Sequence, residues 1–199
     1  MAKQDKRGLV AVDRPVPIVP GNSWLHQSQQ WPTLEVLLST AWDQESQLAS
    51  VIVARQSPRS GKVGAATILV DLACLGIKNS IVRLFPTPRD YANGLRRDLH
   101  SRQDFSPADL DLVAKIVLTG EAYARRLGLS QPADAAQAKL LLAGADPGAC
   151  AIPVPTGGPE GKPYFIAGPY DDAPRIIAQL TRAVGEDGFD YFVPLAGER

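Results

Sequence analysis

The order of apolar and polar positions divides the chain into a polar, proline-punctuated beginning and a longer patterned remainder. Residues 1–32 carry Pro15, Pro17, Pro20 and Pro32 between polar residues. Each proline removes a backbone donor and resists helix, so an extended arm is expected there. Trp24 and Trp31 lie in the same stretch. Two large amphipathic rings in an arm argue that it docks, on its own core or on a partner.

The patterned part, residues 33–199, reads as a single domain. "PTLEVLLSTAWDQ" sets Leu34, Leu37, Leu38, Ala41 and Trp42 at helical spacing behind Thr33, a capping residue, and predicts a helix. "QLASVIVARQ" and "KVGAATILVDLACLG" are β-rich runs around the turn "SPRSG", the pattern of a β-hairpin. The second run is almost wholly apolar, as expected of a strand covered on both faces. "SPADLDLVAKIVLTGEAYARRLG" predicts the longest helix. Ser106 is its expected cap, Pro107 lies in the first turn, Asp109 completes a pattern like a capping box and Gly128 stands at the C-terminal end. Leu110, Val113, Ala114, Val117 and Leu118 form its apolar stripe. A shorter helix is expected from Gln131 to Ala143, ending at Gly144.

The stretch around 145–162 is broken by Gly and Pro and reads as a long loop, a type usually functional or mobile. "PYFIAG", "DDAPRIIAQLTRAVG" and "FDYFVPL" then read as strand, helix, strand with a right-handed crossover, Asp171 or Asp172 capping the helix and Pro174 in its first turn. The whole is an α+β fold: a mixed sheet of about four strands with a central hairpin, packed by about five helices.

Composition narrows the function. The 199 residues carry 21 Lys and Arg against 21 Asp and Glu, so the net charge is zero, which argues against a surface uniformly built for nucleic acid but allows a local patch. Two cysteines, Cys74 and Cys150, and two histidines, His26 and His100, have no metal-ligand spacing and make no disulfide framework. No apolar run is long enough to cross a membrane and the first residues lack the apolar stretch of a secretory signal. A cytoplasmic, bacterial-type setting is expected, with no membrane partner and no cofactor.

Candidate chemistry is sparse. Gly61-Lys62 is followed by Val63 rather than Ser or Thr and lies between strands, so it is a turn and not a phosphate loop. "TGGPEGKP" matches no nucleotide fingerprint and reads as a connector, with anion binding through its amides as the alternative. The hairpin tip offers Arg55, Arg59 and Lys62. Arg96, Arg97 and Arg102, with Lys3, Lys6 and Arg7, extend the positive charge, a footing for phosphates. Asp71 is a carboxylate inside an apolar run, which is costly unless paired, metal-bound or protonated. A metal-assisted reaction there needs further acids from among Glu35, Asp43, Glu45, Glu121, Asp171 and Asp172, with Glu121 the foremost. The competing role is structural, with Asp71 accepting backbone amides or pairing with Arg83 or Arg125. Strand alternation puts Cys74 on the face opposite Asp71. A cysteine nucleophile is disfavoured because no motif brings His26 or His100 to Cys74 or Cys150.

"LVDLACLGIKN" and "GPEGKPYFIAGPYDD" resemble segments of uncharacterised bacterial proteins that share an LVD-x-x-CLG-x-K stretch. The resemblance covers a small part of the chain and implies no activity, fold or ligand. The leading expectation is a non-catalytic binding module that meets nucleic acid or a ribonucleoprotein through Arg55, Arg59, Lys62, Arg96 and Arg97. The alternatives are a metal-assisted hydrolase or nuclease centred on Asp71 and Glu121, and a protein-interaction subunit anchored by Trp24 and Trp31.

Overall fold

Backbone pairing, rather than helix packing, organises the centre of the chain in the computed structural model, which describes residues 23–44, 47–158 and 160–194. Four long strands, β1 (Thr33–Ser39), β2 (Leu48–Gln56), β3 (Val63–Asp71) and β4 (Gly76–Phe85), run as an antiparallel meander. A short β5 (Phe105–Pro107) returns beside β1, giving the order β4-β3-β2-β1-β5. The α+β expectation stands, but the main sheet has five antiparallel strands. The parallel pair, β6 (Tyr164–Ile166) and β7 (Asp190–Phe192), forms a separate two-stranded sheet.

The segment from Thr33 is β1 and not a helix. Val36, Leu37, Leu38 and Ser39 are all buried, and burial of four consecutive residues needs cover on two sides. A strand between β2 and β5 provides it: Leu37 faces one core layer while Val36 and Leu38 face the other. Spacing alone cannot separate such a run from a helix.

The apolar run from Val63 stops at Asp71, turns through Leu72–Leu75 and returns as β4. That fourth strand was hidden by its polar residues. Leu69 faces Asn79 whereas Val70 faces Ile77, so Lys78 is the extra residue of a β-bulge.

Among the described residues, helices cover both faces of the main sheet. On one face lie α4 (Leu110–Arg126) and α5 (Ala135–Lys139), closing the main core with Val51, Val53, Ile68, Val70 and Ile77. Gly120 permits the contact, since a Cβ there would lie 2.5 Å from Val70 Cγ1. Asp109 caps α4, its side chain accepting from the Asp111 amide, while the expected cap Ser106 and Pro107 belong to β5. Gly128, at φ +74°, follows the helix end as expected. On the other face α2 (Pro88–Tyr91), a π-helical turn Ala92–Arg96 and α3 (Arg97–His100) cover Leu37, Ile52, Ala54, Val63 and Ala65. A third small core gathers Cys74, Tyr123, Leu127, Phe165, Leu180 and Phe189 beneath α6 (Ala173–Val184). Asp172 caps α6, accepting from the Arg175 amide.

Of the expected arm, residues 1–22 lie outside the described residues, and Ser23–Ser28 is a helix, α1, rather than extended chain. Trp24 stacks on Trp31 at 6.4 Å, and Trp24 sits against Gly64, where a Cβ would meet its ring at 2.5 Å. The pair docks on the chain's own sheet. The loop around 145–162 is tied down by Lys115 Nζ, which donates to the Cys150 and Ile152 carbonyls, and by the Gly157 amide, which donates to the Leu72 carbonyl. Among the described residues no helix is long and apolar enough to cross a membrane.

Candidate functional site

Arg55 stands last but one in β2, and its side chain turns inward. Nε donates to the Leu141 carbonyl at 2.8 Å and Nη1 to the Trp31 carbonyl at 2.8 Å, while Nη2 donates to the Ala143 carbonyl. The residue is 5% exposed and burial pulls its pKa down. Arg55 is therefore a clasp joining β2, the α1–β1 turn and the 3-10 turn Leu140–Leu142 that follows α5, and the expectation that it reaches a nucleic acid is corrected. Sequence could not separate it from Arg59, because both flank one turn.

The tip itself is well organised. The Ser57 amide donates to the Lys62 carbonyl, the Gly61 amide to the Ser57 carbonyl and the Ser60 amide to Ser57 Oγ, with Gly61 at φ +69°. This turn holds Arg59 and Lys62 outward, both exposed. Arg96 is drawn elsewhere: its Nε lies 3.1 Å from the Glu35 carboxylate, which also accepts from the Tyr91 hydroxyl. Burial, then Glu35, pushes the Tyr91 hydroxyl well above its ordinary pKa. Arg97 remains exposed.

These pieces flank the same end of the sheet. Val63, beside the tip, pairs with Phe85; α2 starts three residues later; and Glu35, which holds Arg96, faces Ala54. Arg89 on α2 and Arg83 on β4 add two exposed cations. Residues 55–63 and 83–102 contain eight Lys and Arg and only two Asp, in a chain whose net charge is zero. Among the described residues Arg59, Lys62, Arg83, Arg89 and Arg97 form no ion pair, so their charge is unspent.

Asp71 ends β3, where its Oδ1 accepts the Cys74 amide at 2.9 Å. It is 6% exposed, and burial raises its pKa, opposed by that amide and by the charge of Lys78. Because the strand ends here, alternation does not carry on to Cys74, and the expectation of opposite faces is corrected: the two residues touch. The Cys74 thiol is pushed far up by burial and then by Asp71, which leaves it protonated. Glu121 is neutralised by Arg125 and by Lys139, each at 2.6 Å. Asp71 and Glu121 share no partner, and among the described residues no three His, Cys, Asp or Glu side chains are grouped to hold a metal ion. Of the other acids considered, Glu45 lies outside the described residues and Asp171 is paired with Lys78 at 2.9 Å.

No family model, curated protein or solved structure matches this chain. The site's own chemistry must therefore supply the reading. The segments "LVDLACLGIKN" and "GPEGKPYFIAGPYDD" do meet in space: the Tyr164 amide donates to the Ala73 carbonyl, and Lys78 pairs with Asp171. Lys78 and Arg89 are residues that sequence reasoning missed, and Arg83, considered there only as a partner for Asp71, is an exposed cation. For Lys78 the available signal was a charge set directly behind the apolar stretch that ends at Ile77.

Proposed function

We propose that this protein is a non-catalytic binding module that grips the phosphate backbone of nucleic acid with the basic end of its sheet. The observation that carries the reading is the group of exposed, unpaired cations Arg59, Lys62, Arg89 and Arg97 flanking one end of a chain with no net charge. Such a concentration attracts a polyanion by counterion release without needing a basic protein overall. A turn stiffened by its own hydrogen bonds presents two of the cations at little further ordering cost. The inward-facing charges support the same reading: Arg55, Asp71 and Glu121 are occupied in holding the fold. A cytoplasmic setting agrees with Cys74 and Cys150 being free thiols.

The test is fluorescence anisotropy with a labelled single strand of about 20 nucleotides, long enough to span a module of this kind. The parent protein binds, and Arg59→Ala/Lys62→Ala/Arg97→Ala weakens binding about tenfold or more at equal salt, with the melting temperature little changed. Equal affinity of parent and triple variant contradicts the reading.

A further inference from the structure

A cleft of about 500 Å³ opens between the start of β4, the turn after α4 and one side of α6, at the end of the β3–β4 pair opposite the hairpin tip. Its walls come from three separate parts of the chain and are stitched together. Gln131 Oε1 accepts the Ile77 amide at 2.6 Å while its Nε2 donates to the Leu75 carbonyl. Gln179 Nε2 donates to the Leu127 carbonyl, tying α6 to the end of α4. The cleft is thus held open by bonds that exist before any ligand arrives, which lowers the cost of binding.

The charges at the cleft are unequal in their commitments. Lys78 is placed there by the β-bulge, the backbone device that re-aims a side chain out of regular alternation. Its side chain is 18% exposed and Nζ donates to Asp171 Oδ2, which also accepts the Gly168 amide. An ammonium has three donors, so this fixed, mostly buried Lys78 retains donors beyond the one given to Asp171. Asp172 is spent on capping α6. Arg175 and Arg182 carry no ion pair among the described residues, and both line the cleft, two turns apart on α6. Beside them the apolar side chains of Leu75, Leu129 and Ile176 form part of the lining.

We propose that this cleft is a second binding site, for a small organic anion with an apolar body and a phosphate or carboxylate group. Arg175 and Arg182 hold the anionic group by charge-assisted hydrogen bonds, Lys78 supplies a positioned donor, and the apolar body covers the leucine and isoleucine side chains. The proposal does not depend on the nucleic-acid reading, since it shares no residue with the hairpin tip.

The probe is phenyl phosphate, compared with inorganic phosphate, in a ¹H–¹⁵N NMR titration of the full chain. Saturable shifts are expected at the amides of Lys78, Ser130, Gln131 and Arg175, with those of Ser57 and Arg59–Lys62 unmoved. Phenyl phosphate should bind about tenfold tighter than inorganic phosphate, and Arg175→Gln/Arg182→Gln should weaken it about tenfold. Both arginines are exposed, and the melting temperature of the double variant serves as the check on its fold. The proposal is overturned by no saturation at the cleft up to about 10 mM, by shifts confined to the hairpin tip, or by an affinity unchanged in a folded double variant. Arg59→Ala/Lys62→Ala leaves these shifts intact, so failure at the tip and failure at the cleft are read separately.

Discussion

Arg55 and Arg59 are four residues apart on one hairpin, yet the first is enclosed by carbonyl groups and the second stands in solvent. Arg55→Met should cost about 3 kcal/mol, because the carbonyls of Leu141, Ala143 and Trp31 lose their donor inside the protein. Urea denaturation reads this directly, and Arg59→Ala in the same experiment should stay within about 0.5 kcal/mol of the parent. Asp71 gives a test in pH. Its native pKa is raised by burial, so between the ordinary carboxylate value near about 4 and that raised value the folded chain keeps a proton the unfolded chain has released. Stability from this group is full below the window and is lost as pH rises through it. Asp71→Asn retains an oxygen for the Cys74 amide and cannot ionise. Its melting temperature should therefore gain on the parent's as pH climbs above about 4, and a pH-independent gap between the two would count against the assignment. A charge within an apolar run was visible in the sequence. The end of the strand at that residue was not, because no proline or glycine marks it before Gly76.

At the level of elements, the sequence made the long helix, the hairpin and the β6–α6–β7 order legible, since each carries a period or a cap of its own. It misled at β1 because Leu34, Leu37 and Leu38 satisfy a helix as well as a doubly covered strand. It hid β4 because Lys78, Asn79 and Ser80 break the apolar run, and a bulge can be recognised only once the partner strand is known. Helix α4 packs on β3 through Gly120, so Gly120→Ala should destabilise by about 1–3 kcal/mol although alanine is the better helix former. A thermal double-mutant cycle with Val70→Ala should return a favourable coupling, because the smaller residue makes room for the added methyl group. Additive effects would mean the helix and strand are not in close contact there.

For the whole molecule, the layers decide which charges are free to work. Two helical layers enclose the sheet and absorb Glu35, Arg55, Asp71 and Glu121 into its supports, which leaves the cations around the hairpin tip and α2 outward-facing. This division was only half legible: the tip could be read from its turn residues, whereas the contribution of Arg83 and Arg89 depends on how β4 and α2 flank it. A phosphate-gripping end must show its cations as released counterions. The most direct measurement is thus the slope of log K against log salt for a labelled single strand, for the parent and for Arg59→Ala/Lys62→Ala/Arg97→Ala. The account predicts a slope about two units shallower in the triple variant, close to 0.7 for each lost phosphate contact. Identical slopes for the two proteins would contradict it.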